Sequence, residues 1–137
     1  MNKNFWLIDI WEEKKYADLW SVNHFLGGII LAQITYSFNL SFWSGLVLAV
    51  FLMMGWELYE LAVGIEESAY NKSTDIGFGV LGFLSYVFFL IKLKYFKYIF
   101  IVIFIVFIML ELLGYLAYRL RIKRDMPNGL ENNSLRD

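Results

Sequence analysis

The sequence predicts an all-α membrane protein with four transmembrane helices preceded by a short interfacial helix. Three observations carry that prediction. The 137 residues are 59% hydrophobic with a mean hydropathy of +0.54, where a soluble domain holds about 45–50% apolar residues. The apolar residues fall into four runs near the ~20 residues that a hydrocarbon core of ~30 Å requires. Short polar or basic breaks separate those runs, so each helix has neighbours to cover its polar residues and the chain forms one domain.

Residues 1–21 mix Phe5, Trp6, Leu7, Ile8, Ile10 and Trp11 with Glu12, Glu13, Lys14 and Lys15. The apolar pieces are too short to span a bilayer, while Trp6, Trp11 and Trp20 suit the headgroup zone that favours an amphipathic indole. The segment is therefore expected to be an interfacial helix. It lacks the basic start, apolar centre and small-residue cleavage site of a signal peptide, so the first transmembrane helix is expected to serve as its own insertion signal.

The four spans of the transmembrane domain, residues 22–118, are expected at 22–38, 42–63, 76–91 and 98–118. Asn39, Leu40 and Ser41 form the first turn. Residues 65–74 read as a polar loop, in which Ser73 or Thr74 caps the third helix and Asp75 lies in its first turn beside the positive end of the dipole. Lys92, Lys94 and Lys97 mark the next turn, and Arg119, Arg121, Lys123 and Arg124 stop the fourth span. Residues 119–137 end in a Pro/Gly/Asn/Ser-containing segment, expected to be a disordered cytoplasmic tail.

Four spans place both termini on one side. That side carries Lys3, Lys14, Lys15, Lys72, Arg119, Arg121, Lys123 and Arg124, against Lys92, Lys94 and Lys97 on the other. The imbalance favours both termini in the cytoplasm, with the chain in a bacterial inner membrane. A net charge of -1 provides no electrostatic footprint for nucleic acid. The absence of cysteine excludes disulfides, thiolate metal sites and cysteine nucleophiles. No H-E-x-x-H pair, P-loop or nucleophile elbow is present.

With this threading, Asp18, Asn23, His24, Glu57, Glu60, Asp75 and Glu111 all fall in the cytoplasmic half. Glu111 is eight residues before Arg119, or about 12 Å deeper at 1.5 Å per residue. Ionisable groups this close to hydrocarbon are costly and mark candidate sites. Glu57 and Glu60, three apart, share a helix face, with Trp56 and Tyr59 as interfacial anchors. Gly27, Gly28, Gly55, Gly64, Gly77, Gly79 and Gly82 lie in the same half and permit close helix approach, bringing His24 near the glutamates.

One imidazole and several carboxylates suit a hard or borderline divalent cation such as Mg²⁺, Mn²⁺ or Zn²⁺. The candidate ligands are His24, Glu57, Glu60 and Asp75, with Asn23 and Glu111 lining the pocket. The same groups suit proton sharing in a proton-coupled or acid–base site. Each also has a plainer role: His24 as a hydrogen-bonded helix-interface residue, Glu57 and Glu60 snorkelling at a helix end, Asp75 as a helix N-terminal carboxylate, and Glu111 paired within the bundle. Glu66 and Glu67 read as solvated loop charges.

The runs N-H-F-L-G-G (23–28), W-E-L-Y-E (56–60) and D-I-G-F-G-V-L-G (75–82) resemble the VanZ-like group of small membrane proteins and the related YjdF-type inner-membrane proteins. The resemblance covers about residues 18–85 and implies His24, Glu57, Glu60, Asp75 and Gly82 as the matching positions. The chain departs from the pattern at Trp20, where the pattern has an acid, and at Gly79, where it has an asparagine, as expected of a divergent member. Three functions follow as expectations. One is a pocket that binds a cation or a polar lipid headgroup. A second is an accessory subunit of a larger membrane complex. The third is a proton-linked transporter assembled by self-association. Membrane lipids are partners in all three.

Overall fold

The computed structural model describes residues 10–11, 17–62, 65 and 67–125. Most of the expected interfacial helix, Trp6, Gly64, Glu66 and residues 126–137 lie outside the described residues. Four α-helices follow in order: α1 (Leu19–Ser37), α2 (Phe42–Ala62), α3 (Ala69–Phe88) and α4 (Phe96–Asp125), with a 3₁₀ turn at Leu90–Lys92 before α4. Among the described residues, three segments are long and apolar enough to cross a membrane: Phe42–Ala62, Ala69–Lys92 and Phe96–Lys123. Helix α1 is not among them, since Asn23, His24 and Gln33 interrupt its apolar surface.

The starts and stops have local causes. Asp18 caps α1 by accepting from the backbone of Trp20 and Ser21, and the Ser21 hydroxyl accepts from the Asp18 backbone in return, a capping box. Between α1 and α2, Asn39 adopts φ 55, a left-handed conformation that asparagine tolerates better than most side chains. Helix α3 begins seven residues before Ile76, where the third span was expected to start, because Ser68 is the cap, accepting from the Asn71 backbone at 3.1 Å. The hydroxyls of Ser73 and Thr74 instead donate to the carbonyls of Ala69 and Tyr70, each at 2.8 Å, inside the helix. Asp75 thus stands in the second turn. Helix α4 likewise continues through Arg119 and Lys123, so the basic residues occupy its last turns and do not end it.

Helices α1 and α3 form the centre. Asn71 donates to Asp18, Ser21 to Asp75, and Tyr86 to Gln33, at separations of 53, 54 and 53 residues. A constant offset means that the two helices run parallel and in register over ~22 Å. Their backbones meet where a Cβ on Gly28 would overlap the Gly79 carbonyl and one on Gly82 would overlap the Phe25 carbonyl. Gly55 and Gly77 face open space, so only some of the expected glycines draw helices together. Gly45 and Gly114 do so elsewhere.

The core is built on Ile29, Ala32, Ala49, Met53, Phe83, Tyr86 and Phe96. Helix α4 joins through Phe96 at its start, edge-on to Tyr86 at 5.2 Å, and through Gly114 and Ala117 near its end. There Trp11 is buried against Trp20, with ring centroids 4.6 Å apart, and its carbonyl accepts from Arg121 at 3.0 Å. Trp11 is thus packed inside the fold and not spread on a headgroup surface, because Gly114 leaves room for both indoles.

Candidate metal centre

The polar residues gather at the end of the bundle that holds the starts of α1 and α3 and the end of α2. Each helix supplies them in a stripe. On α1, Ser21 and His24 are three apart and reach α3 and α2, while Asn23 turns to α4. On α2, Glu57 and Glu60 are three apart and 6% and 5% exposed, although Leu58, Tyr59 and Leu61 around them lie open. On α3, Asn71 and Asp75 are four apart on one face and both are fully buried, and Glu67 precedes the Ser68 cap of that helix.

Most of the acids are held by an outer donor. The Ser21 hydroxyl donates to Asp75 Oδ1. The Trp56 indole donates to Glu60 Oε1 at 2.8 Å. The Asn71 amide donates to Glu67 Oε2 at 3.2 Å, Asp75 Oδ2 at 3.3 Å and Asp18 Oδ2 at 3.2 Å. That amide has two protons for three carboxylates. Asn23 donates to Glu111 Oε1 at 2.8 Å.

Glu57 differs. Its Oε1 is 3.7 Å from His24 Nε2, beyond hydrogen-bond reach, and both of its oxygens are buried without a hydrogen-bond partner. The other buried side-chain atoms without partners among the described residues are Asn23 Oδ1 and Asn71 Oδ1. All four orphans are acceptor oxygens. The site is short of positive charge and of donors, and an unsatisfied buried acceptor costs ~1–3 kcal/mol, more when charged.

The candidate ligands fall into two groups that share Glu57. His24, Glu57 and Asp75 each place one ligand atom within 4.8 Å of the others, and so do Glu57, Glu60 and Glu67. Atoms bound to one ion at ~2.0–2.2 Å lie up to ~4.4 Å apart, so small side-chain shifts complete either set. Glu60 therefore belongs with Glu67 and not with His24 and Asp75. Glu111 and Asn23 pair with each other at the side of the cluster.

Ser21, Asn71 and Glu67 are the site residues that the sequence reading did not single out. Asn71 has a signal, its place four before Asp75 once residues 69–75 are taken as helix; Ser21 lies on another helix and Glu67 just before the Ser68 cap, so neither shares it. Beside His24 opens a groove of about 390 Å³ between α1, α2 and α4, lined mainly by Trp20, Leu31, Leu52, Met53 and Phe107, with Asn23, His24 and Glu111 at its polar end. No family model, curated protein or solved structure matches the chain, so the geometry carries the functional reading.

Proposed function

We propose that the chain is an integral membrane protein of four spans, both termini cytoplasmic in a bacterial inner membrane, whose His24–Glu57–Asp75 site binds a divalent cation. The carrying observation is Glu57: a carboxylate 6% exposed, with both oxygens unpartnered, beside an imidazole and a second buried acid. A cation offers these acceptors what the surrounding side chains do not. Imidazole with carboxylates suits Mn²⁺ or Zn²⁺, and the outer donors Ser21 and Asn71 orient Asp75 as they would a metal ligand. The residues behind the VanZ-like resemblance include these ligands, which supports a divergent relationship to that group.

The test is calorimetric titration of Mn²⁺ or Zn²⁺ into chelator-stripped protein in detergent. Glu57→Gln and His24→Gln are each expected to weaken binding by more than about tenfold, a loss that even outer-shell changes produce. An isotherm unaltered by both variants overturns the reading.

A polar lipid headgroup is the second reading, and the groove favours it. Its size falls in the range of about 300–1,000 Å³ typical of ligand pockets, and its apolar walls lead to Asn23, His24 and Glu111. Lipid retained through purification, and lost on replacing Gly27 by a leucine that fills the groove, would support it.

A further inference from the structure

We infer that the site is a two-cation centre bridged by Glu57, in which Glu60 and Glu67 hold a second divalent ion beside the one held by His24 and Asp75. The inference rests on the cation reading above and extends it by a site, a ligand and a stoichiometry.

Three observations carry it. Glu57 is the common member of both ligand groups, and a carboxylate with two oxygens can serve two ions. Its oxygens are also the ligand atoms without a partner, whereas the three outer carboxylates are each held by a donor: Asp75 by Ser21, Glu60 by Trp56 and Glu67 by Asn71. Such outer donors fix the direction of a ligand, and a bridging carboxylate is oriented by the ions themselves.

The third observation is charge. Glu57, Glu60, Glu67 and Asp75 bring four carboxylates together, three of them buried. Two divalent cations balance them. With one ion, the buried carboxylates that it does not reach must be neutralised by protonation or by another cation, because uncompensated buried charge is expensive. The second group offers oxygen alone and selects a hard cation such as Mg²⁺ or Mn²⁺, while the imidazole of the first also accepts Mn²⁺. Carboxylate-bridged ions in two-metal sites lie ~3.5–4 Å apart, close enough to couple magnetically.

Mn²⁺ is therefore the probe. The full chain, purified in detergent and stripped with chelator, is dialysed against Mn²⁺ and measured for stoichiometry and by electron paramagnetic resonance. Two Mn²⁺ per chain with a coupled spectrum is the expected result. Glu67→Gln keeps a side-chain oxygen for Asn71, so the start of α3 is preserved, and it is expected to leave one Mn²⁺ with an isolated six-line signal. One Mn²⁺ per unaltered chain, indifferent to Glu67→Gln, overturns the bridged centre and leaves the single site standing. Two ions without coupling also overturn the bridge. Absence of bound Mn²⁺ overturns the bridged centre, and absence of bound Zn²⁺ as well overturns the single site too. The unaltered chain alone decides among one, two and none, should the variant fail to fold.

Discussion

Both oxygens of Glu57 lie buried and unpartnered in a helix whose neighbouring side chains are open, so stability and binding make opposite demands on this position. Without an ion, Glu57→Leu removes two orphan acceptors and is expected to raise stability by about 1–3 kcal/mol, the usual cost of leaving a buried polar group unsatisfied. With ion at 100 times its Kd, the unaltered protein gains about 2.7 kcal/mol and the leucine variant gains none. Thermal unfolding in detergent, with and without chelator, reads both halves. A leucine variant that melts lower in chelator would mean that the carboxylate has a structural partner. At this scale the sequence revealed the charged members of the site, because an acid or imidazole beside an apolar run stands out. It hid Ser21 and Asn71, which are uncharged, and Glu67, which lies just before the Ser68 cap and joins the cluster through the Asn71 amide.

Between elements, the α1–α3 contact depends on the missing side chains of Gly28 and Gly82, while Gly79 makes room for Met53 of α2. A Cβ on Gly28 would occupy the position of the Gly79 carbonyl, and neither helix can yield without separating. Gly28→Ala is expected to cost ~1–3 kcal/mol, as overpacking does, and to loosen the Ser21–Asp75 and Asn71–Asp18 bonds that shape the site. Gly55→Ala meets nothing within 4 Å and is expected to be neutral or to stabilise by up to ~1 kcal/mol through helix propensity. Unfolding midpoints in the same detergent compare the pair, and equal effects would contradict the tight crossing. The sequence showed that glycines cluster in this half but not which of them face a neighbour. A helix apolar on nearly every side carries little periodicity to mark its packed face. The early start of α3 was hidden for a related reason: Asn71, Lys72, Ser73 and Thr74 have the composition of a loop, yet Ser68 caps the helix and the hydroxyls of Ser73 and Thr74 bond back into it.

For the whole molecule, hydrogen bonds gather the start of α1, the start of α3 and the last turns of α4 at one end of the bundle. Asn23 near the start of α1 reaches Glu111 on α4, Asp18 reaches Asn71 at the start of α3, and Arg121 reaches the Trp11 carbonyl. Lys72, Arg119, Arg121 and Lys123 therefore share that end, while Lys92, Lys94 and Lys97 sit at the other. Helix α4 has only 6% of its most apolar window buried, a surface that suits lipid or a membrane partner over most of its length, and in the proposed topology its two ends lie at the bilayer boundaries. On the proposed topology, the basic imbalance puts the Arg119 end in the cytoplasm. Because the chain has no cysteine, single replacements report sidedness without background. Lys94→Cys is expected to react with a membrane-impermeant maleimide added outside intact spheroplasts, and Lys123→Cys only after permeabilisation. The reverse pattern would invert the topology and open the cation site to the outer face. Labelling of both positions from outside would contradict a spanning α4 altogether. The expected pattern would place the carboxylate cluster at the cytoplasmic end of the bundle, on the side of the membrane that holds cytoplasmic Mg²⁺ and Mn²⁺.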